Sequence, residues 1–396
     1  MLGVGAALSA GALLCACGSR PAPPVDAAAS SRPSAPADPL ALATSLQAAG
    51  GTWAVVPMGR LDQPVNTFWQ LMYLPAGSGH WSDRVEATAT ATNGGLLVAG
   101  SGDFLAVGIL PSTLLRFSPM IATDDAGRSW SDGLVDSGID AHAASLAVES
   151  PGAGLALTDS SRSGRILEAA GGLSRWRTLL TAGTLGRSPA GASCRPAELT
   201  TVGYLAGHPV VGASCSSVGE LGLFVDAAGS WRSVPVDLAS SVGGDRLEVL
   251  WYGGAPGHPE ALVEASSRSG AHSDLLALAA EGSGHGFGHW RTSTTLPLAA
   301  GWSVGSVSAL SGGVLGVLVG DGVAREDVET VAPGGTWRSG PAAPAGSETL
   351  AQAGSGTVDA LAGSGSTLAV WSLGPSARSW RLTQRLHVAI QYGSSS

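Results

Sequence analysis

Two short segments combine arginine with hydroxyl side chains in a pattern that could bind an anion. Residues 160–164 and 266–270 both read Ser-Ser-Arg-Ser-Gly. A guanidinium group can hold a carboxylate or a sulfate through paired hydrogen bonds, and neighbouring hydroxyls can add to them. Arg162 and Arg268 are therefore candidate ligand residues. The alternative is that both segments are ordinary Ser-Gly turns in which the arginine only improves solubility.

A second candidate chemistry is metal binding by His285 and His289, which flank a Gly-Phe-Gly segment. The glycines would leave this segment too flexible to hold the two histidines in place around a metal, and no third ligand lies nearby in the sequence. These features favour an ordinary turn over a metal site. The chain also contains no P-loop, no dinucleotide-binding fingerprint, no HExxH motif and no Ser-His-Asp signature. We therefore predict no cofactor.

The elements that would position these residues are indicated by a recurring tryptophan. It returns at intervals of 43 to 59 residues, each time followed by Ser or Arg. A period of this length, in a chain of short apolar segments and Gly/Ser turns, is typical of β-propellers with one four-stranded sheet per repeat. We predict an all-β propeller of seven such sheets. The seven repeated residues are Trp81, Trp130, Trp176, Trp231, Trp290, Trp337 and Trp380.

One copy of the repeat is well preserved, at residues 123–130. Thr123 and Ser129 flank a turn in which the Asp125 carboxylate can accept hydrogen bonds from backbone N–H groups. Gly127 can supply the positive φ that such a turn requires. Trp130 then begins the outgoing strand and buries its ring between sheets. A weaker copy keeps Asp226 and Trp231 at the same separation, with the glycine moved by one position.

Alternating apolar segments predict the individual strands. The fifth sheet is predicted from residues 246–252, 260–265, 274–279 and the Trp290 segment, and the sixth from 302–310, 313–319, 323–332 and the Trp337 segment. The first sheet has only three candidate strands, at residues 53–58, 67–74 and the Trp81 segment. We predict that residues 387–392 supply its fourth strand, so that the two chain ends pair and close the ring. Residues 41–48 are predicted as a short helix.

The charge of the chain limits its partners. The 396 residues have a formal net charge of −9 and a pI near 5.3, and all 21 basic residues are arginine. Nucleic-acid binding requires a basic surface, so we predict no nucleic-acid partner. A chain of this length can form one domain when it is built from repeats, so we expect a single large domain.

The N-terminus is typical of a secreted protein. Residues 1–16 are uncharged and apolar and too short to span a bilayer, as in a signal peptide. The sequence Leu14-Cys15-Ala16-Cys17-Gly18 resembles the lipobox of bacterial lipoproteins, which implies lipidation of Cys17. The alternative is an ordinary cleaved signal with an incidental cysteine. We divide the chain into a signal at 1–16, a lipid anchor and Pro/Ala/Ser-rich linker at 17–50, and a propeller at 51–396.

The remaining two cysteines, Cys194 and Cys215, are predicted to form a disulfide. Residues 197–205 and 210–214 read as a hairpin around a turn at 206–209, which brings the two cysteines together. An exported protein lies in an oxidising compartment, which favours the bridge. A zinc site is the weaker alternative, because no CxxC and no paired histidines accompany the cysteines.

With the residue 123–130 motif and the tryptophan repeat, the chain resembles the bacterial neuraminidase repeat, or Asp-box, β-propellers from about residue 51 onward. That group contains sialidases and also non-catalytic propellers, such as assembly factors related to photosystem II stability proteins. The resemblance implies that Asp125 and Trp130 are structural and lie opposite the ligand face. Sialidase chemistry would need an arginine triad and a tyrosine nucleophile with a glutamate. Tyr252 with Glu248 is the one candidate pair, against a plain core-edge aromatic beside a solvated acid.

These observations lead to one prediction of function and one alternative. We predict a monomeric lipoprotein, anchored to the outer face of the cell membrane, that acts as a non-catalytic binding or assembly platform for an envelope protein or a glycan. The alternative is a glycan-binding or sialidase-like glycoside hydrolase that uses the ligand face of the propeller.

Overall fold

The computed structural model describes residues 42–59, 67–84, 95–109, 118–135, 142–159, 164–169, 171–238, 242–255, 258–280, 290–321, 326–354 and 356–388. Cys17, the predicted linker up to residue 41, Arg162, His285 and His289 lie outside these ranges. Within them, no helix is long and apolar enough to cross a membrane.

The described strands fall into seven groups of four consecutive strands, which we call sheets 1 to 7. Strand pairing also joins sheet 1 to sheet 6 and sheet 4 to sheet 5. Sheet 1 contains β1 (Ala43–Ala48), β2 (Gly51–Gly59), β3 (Thr67–Pro75) and β4 (Ser82–Asp83). Sheet 2 contains β5 (Leu96–Ser101), β6 (Phe104–Ile109), β7 (Ser118–Thr123) and β8 (Ser131–Val135). Sheet 3 contains β9 (His142–Ser150), β10 (Ala153–Asp159), β11 (Arg165–Ala169) and β12 (Trp176–Thr181). Two short helices, α1 (Ala182–Arg187) and α2 (Gly191–Cys194), follow it.

The second half of the chain repeats the pattern. Sheet 4 contains β13 (Pro196–Leu205), β14 (His208–Cys215), β15 (Gly222–Ala227) and β16 (Ser230–Ser233). Sheet 5 contains β17 (Arg246–Ala255), β18 (His258–Ser266), β19 (Ser273–Ala280) and β20 (Trp290–Thr292), and β21 (Leu296–Leu298) also pairs with β19. Sheet 6 contains β22 (Ser303–Leu310), β23 (Val314–Gly320), β24 (Glu326–Val331) and β25 (Arg338–Ser339). Sheet 7 contains β26 (Ser347–Gln352), β27 (Val358–Ser364), β28 (Thr367–Leu373) and β29 (Arg381–His387).

The first strand of each sheet lies innermost and contacts the first strands of the neighbouring sheets, so the seven sheets follow one another in a ring. We define the upper face as the end of the sheets at which each first strand begins and each second strand ends. The opposite end, which carries the turn between the third and fourth strands, is the lower face. The strands predicted for sheets 5 and 6 are confirmed to within three residues at each end among the described residues.

The repeated tryptophans pack each sheet against the sheet before it. Trp130 of sheet 2 meets Trp53 of sheet 1 edge to face, with ring centroids 6.1 Å apart. Trp337 of sheet 6 donates its indole N–H to the carbonyl of Thr294, which follows sheet 5. All seven belong to or border apolar clusters that combine two successive sheets. Each indole ring fills a gap of similar width between two sheets, which explains why tryptophan recurs once per sheet.

Sheets 1 and 7 close the ring through Trp81. Its indole N–H donates to Asp359 Oδ2 at 2.8 Å. Its backbone N–H donates to Gln384 Oε1 and its carbonyl accepts from Gln384 Nε2, both at 2.9 Å. A backbone bridge between Gly59 and Gly365 adds a second link between the same two sheets.

Strand β1 lies at the centre of the ring, because it pairs antiparallel with β2 and parallel with β22 of sheet 6. The buried Ser45 hydroxyl donates to the Ser308 hydroxyl at 3.0 Å, and Ser308 in turn donates to the Leu350 carbonyl of sheet 7. Sheets 1, 6 and 7 therefore meet through hydroxyl groups on their first strands.

These contacts correct two predictions about the chain ends. The helix predicted over 41–48 is wrong, because pairing on both sides makes this segment a strand despite its weak strand propensity. Since β1 completes sheet 1, the prediction that residues 387–392 supply its fourth strand is also wrong. Strand β29 ends at His387 and pairs with β28, and residues 389–392 lie outside the described part of the chain.

Candidate functional site

A cavity of about 140 Å³ opens where the first strands of sheets 3, 4 and 5 begin, on the upper face. Its apolar wall comes from Ala144, Leu157, Gly164 and Leu199, and its polar groups are those of Glu198, Thr200 and Glu248. The Thr200 hydroxyl donates to the Val249 carbonyl at 2.6 Å, which ties β13 to β17 beside the opening. The cavity thus combines an apolar wall with two carboxyl groups.

Acidic side chains come close together beside this cavity. Glu248 on β17 lies directly opposite Glu264 on β18, and like charges in such a pair destabilise a sheet. Burial raises the pKa of Glu248, and the charges of Glu264 and Glu198 raise it further. The Arg246 charge offsets part of that shift. A cation placed in the cavity would stabilise the ionised form of Glu248.

One side of the cavity rim is braced by a disulfide. The structure joins Cys194, at the end of α2, to Cys215, at the end of β14. Arg195 between α2 and β13 has a left-handed backbone (φ 51°), and its carbonyl accepts from the backbone N–H of Ser216 at 3.1 Å. The two cysteines are buried, so the bridge fixes the start of β13, which carries Glu198 and Thr200.

Of the two candidate anion-binding arginines, only Arg268 is among the described residues. It lies in the link between β18 and β19 on the upper face, and its side chain is exposed. The hydroxyl of Ser267 in the same link accepts from the backbone N–H groups of Ala271 and His272. Arg162 lies outside the described residues. The structure therefore gives no geometry for a pair formed by the two arginines.

The preserved turn at residues 123–130 lies on the lower face, between β7 and β8. Asp125 Oδ1 accepts from the backbone N–H groups of Arg128 and Ser129, both at 2.9 Å, and Oδ2 accepts from the Ser129 hydroxyl at 2.7 Å. The Thr123 hydroxyl donates to Asp125 Oδ1 and accepts from the Gly127 N–H. These bonds, those from Ser129 above all, hold the pKa of Asp125 well below its usual range. Gly127 has φ +76° and packs beside Trp130.

The weaker copy in sheet 4 has a different geometry. Ala228 and Gly229 both have positive φ, at 55° and 84°, and they form a two-residue turn between Ala227 and Ser230. Such a turn lets strand pairing continue up to the loop, so Asp226 lies within the strand opposite Trp231. Asp226 Oδ1 is buried and has no hydrogen-bond partner among the described residues. Moving the glycine by one position therefore replaced a carboxylate-centred turn with a tight hairpin.

The candidate pair of Tyr252 and Glu248 is not brought together. The register of β17 against β18 shifts between Val249 and Trp251, so that an extra residue lies on β17. Such a bulge reverses the alternation, and Glu248 and Tyr252 face opposite sides of the sheet. Tyr252 is 7% exposed and donates its hydroxyl to the Tyr204 carbonyl at 3.0 Å. Burial raises the pKa of Tyr252, which is the reverse of what a nucleophile requires.

Tyr252 contributes instead to packing. Its ring lies against Gly203 of sheet 4, where a Cβ would stand 2.0 Å from Tyr252 Cδ1. No group of three or more His, Cys, Asp or Glu side chains in the described part of the chain is arranged to hold a metal ion.

Sequence reasoning missed the acid-lined cavity. Glu198 and Glu248 are 50 residues apart, and neither belongs to a motif. Their one shared signal is position, because each lies two residues after the start of the first strand of its sheet. Aligning the sheets on that strand would have placed both at the upper face.

Comparison with known proteins supports the fold and goes no further. No family model and no curated protein match the sequence. Among solved structures, a putative 6-phosphogluconolactonase from Bacteroides uniformis is 11% identical, with 86% of this chain and 98% of that chain covered and a TM-score of 0.50. YCF48 from Cyanidioschyzon merolae is 15% identical, with 88% and 95% covered and a TM-score of 0.45. A fucose-specific lectin from Aleuria aurantia is 12% identical, with 89% and 96% covered and a TM-score of 0.40.

The seven consecutive sheets, together with the likeness to the Bacteroides uniformis structure, define the fold class. The chain is an all-β protein with the β-propeller fold, as the sequence predicted. One propeller fold serves many activities, so function has to be argued from the site.

Proposed function

We propose that this protein is an exported, lipid-anchored propeller that binds a partner protein of the cell envelope at its upper face, without catalysis. The observation that carries the proposal is the cavity between Glu198 and Glu248. In this proposal a basic side chain of the partner enters the cavity, its alkyl part against Leu157 and Leu199 and its charge between the two carboxylates.

Charge complementarity supports a cationic occupant. Glu248 faces Glu264 across the sheet and shares the cavity with Glu198, so an incoming ammonium or guanidinium group would relieve repulsion among three acids. Hydrogen bonds between such a group and a carboxylate are the strongest that side chains form. Lysine and arginine also bury their methylene groups readily on apolar walls.

The size of the cavity supports a side chain as the occupant. A volume of about 140 Å³ is close to that of a cavity filled by a benzene-sized group, and drug-sized ligands occupy roughly 300 to 1,000 Å³. An oligosaccharide would have to bind mostly outside it. The hydrogen-bonded, buried Tyr252 supports the non-catalytic part of the proposal, since the one candidate nucleophile is engaged elsewhere.

The remaining parts of the ring support this location. Strand β1 and its hydroxyl contacts fill the centre where sheets 1, 6 and 7 meet, which leaves the side of sheets 3 to 5 for a ligand. The Asp125-centred turn lies on the lower face, as membership of the Asp-box propellers would require. We include that membership in the proposal, on the geometry of this single turn.

Site-specific photo-crosslinking tests the binding face. A benzoylphenylalanine introduced at Arg268 on the upper face should capture one protein in fixed stoichiometry, and the same probe at Arg128 on the lower face should not. The variant Glu198→Gln/Glu248→Gln should lose the adduct. Glu149→Gln, an exposed acid at the lower end of β9, is the control and should retain it. Equal capture from both faces, or an adduct that survives the double variant, would reject the proposal.

The anchor is tested separately by fractionation. With the membranes washed in 1 M salt, which removes proteins held by charge alone, Cys17→Ala should move the protein from the membrane fraction to the soluble fraction. Unchanged partitioning would reject lipidation at this residue and would leave the crosslinking result standing on its own.

A second candidate function is supported by Arg268. Its exposed guanidinium group, beside the hydroxyls of Ser267 and Ser269, is suited to a carboxylated or sulfated glycan on the same face. Binding to an array of such glycans that is lost in Arg268→Gln and retained in Glu198→Gln/Glu248→Gln would favour the glycan over the protein partner.

A further inference from the structure

The charge of the chain changes sign near its C-terminus. Residues 360–396 contain Arg378, Arg381, Arg385 and His387 and no Asp or Glu. All 30 acidic residues and the other 18 arginines lie before residue 360, so that part has a formal charge of −12 and the C-terminal part +3. A region of this composition in an acidic protein points to an anionic partner.

The fold places these basic residues along one edge. Arg381, Arg385 and His387 lie on β29, the outermost strand of sheet 7, and Arg378 lies in the turn just before it. All four side chains are exposed. We call this set the basic edge. The register of β29 against β28 shifts between Val370 and Trp371, where β29 has one extra residue, so Arg381 and Arg385 project from opposite sides of the outer edge.

The three guanidinium groups of the basic edge have no acidic partner among the described residues. No acidic side chain of the described residues lies within ion-pair distance of Arg378, Arg381 or Arg385. Sheet 3 provides the contrast, because Arg177 at the same position after a repeated tryptophan is paired with Glu168 at 2.6 Å. The pairing of that outer strand shows that the scaffold can neutralise such an arginine, and on β29 it does not.

We propose that the basic edge binds the surface of an anionic lipid bilayer and thereby orients the propeller on the membrane. This goes beyond the proposed function, and it does not involve the Glu198 and Glu248 cavity. The outer edge of sheet 7 carries cations on both of its sides, so a plane that meets the edge can contact them together, and three arginines match a surface of phosphate headgroups.

The choice of lipid over a soluble polyanion rests on the proposed tether. The 24 residues between Cys17 and Leu42 can extend up to about 85 Å, so the outer strand of any sheet can reach the membrane that holds the anchor. A basic patch is a known type of additional membrane signal beside a lipid anchor.

Vesicle sedimentation tests this inference with the full chain carrying Cys17→Ala, so that no lipid on the protein contributes. Each arginine near an anionic bilayer increases binding about fivefold, so the ratio of binding to phosphatidylglycerol-containing vesicles over neutral phosphatidylcholine vesicles should be about 100. Taking the ratio cancels any contribution from the apolar N-terminal residues. The ratio should fall at 1 M salt, where the screening length is about 3 Å.

Two triple variants separate the basic edge from overall charge. Arg378→Gln/Arg381→Gln/Arg385→Gln should bring the ratio close to 1. The control Arg175→Gln/Arg232→Gln/Arg338→Gln removes the same charge from exposed arginines of sheets 3, 4 and 6 and should leave the ratio within about twofold of the parent. Unchanged thermal midpoints will show that both variants fold.

Three outcomes would overturn the inference. They are a ratio near 1 for the parent, an equal loss in both triple variants, and edge-dependent binding to a soluble sulfated polysaccharide with none to vesicles. None of them bears on fractionation of the Cys17→Ala form in cells or on crosslinking at the upper face, so failure here is distinguishable from failure of the proposed function.

Discussion

Removing one N–H group at the joint between the first and last sheets should weaken the whole ring. Trp81 is 2% exposed and Asp359 is 4% exposed, and Trp81→Phe removes the indole donor to Asp359 Oδ2 while keeping an aromatic ring in place. Asp359 Oδ1 already lacks a partner. Leaving a buried acceptor unsatisfied costs about 1–3 kcal/mol, and the smaller ring adds about 1 kcal/mol of lost packing. We expect a total of about 2–4 kcal/mol.

Differential scanning calorimetry provides the measurement, and Trp337→Phe provides the matched control. Trp337 occupies the same position in sheet 6, but it is half-buried and donates to the Thr294 carbonyl, which water can also reach. Its loss should cost about 0.5–1 kcal/mol. At roughly 2 °C per kcal/mol for a domain of this size, Trp81→Phe should lower the Tm by about 4–8 °C and the control by about 1–2 °C.

The pH dependence of the Trp81→Phe effect identifies Asp359 as the cause. Burial raises the pKa of Asp359, and hydrogen bonds from Ser372 and Trp81 lower it in part. Removing the Trp81 bond should raise the pKa further. A carboxyl with a raised pKa stabilises the fold below its unfolded pKa and loses that contribution as the pH rises. The deficit of Trp81→Phe should therefore be larger at pH 7 than at pH 4. Equal deficits for both tryptophans, or a pH-independent one, would refute this account of ring closure.

Three further predictions concern single sites. Glu260 is 3% exposed and both of its carboxyl oxygens lack partners, and burial raises its pKa to about 7. The parent protein should therefore lose about 3 kcal/mol of stability between pH 5 and pH 8, and Glu260→Gln should not. Thermal unfolding across that range measures the difference, and an unchanged pH profile in the variant would contradict it. Asp125→Ala should lower the Tm at pH 7. The difference should shrink as the pH falls below 4, because the hydrogen bonds that lower the pKa of Asp125 stabilise the fold only while this carboxyl is ionised. The control, Asp124→Ala at the exposed neighbouring residue, should have no comparable effect. The Cys194–Cys215 bridge should make the intact mass two hydrogens lighter without reductant than with it, and equal masses would exclude the bridge.

The parts of the fold that sequence predicted are those with a local signal. The seven tryptophans each fill the gap to the preceding sheet, and one residue type repeated at one position can be read without knowing the partner. The turn at Asp125 is local as well, because its hydrogen bonds span at most four residues. The hairpin before Cys215 was predicted around a turn at 206–209, and the structure has it with a shorter, two-residue turn of positive φ at Ala206 and Gly207.

The parts that sequence did not predict depend on distant partners. Residues 43–48 have little strand propensity and become a strand because β2 pairs with one side of them and β22, some 260 residues away, pairs with the other. The bulge near Leu250 cannot be read from the alternation, yet it decides that Tyr252 faces the core and Glu248 faces the other side. The burial of Glu260 depends on the turns of sheet 6 that cover it, including Gly313 and Gly334.

The central position of β1 also has a consequence for the order of folding. β1 is among the first described segments to be synthesised, but Ser308, to which Ser45 donates, follows 263 residues later. At about 5–20 residues per second, translation separates the two by about 15–50 s, far longer than hairpin formation takes. Until then the edge of β1 that pairs with β22 remains unpaired. Its Thr44, Ser45 and Gln47 side chains are polar, and a polar strand edge aggregates less readily than an apolar one. The ring can therefore close only after its sixth and seventh sheets have emerged, and the last step of folding joins the first strand to some of the last.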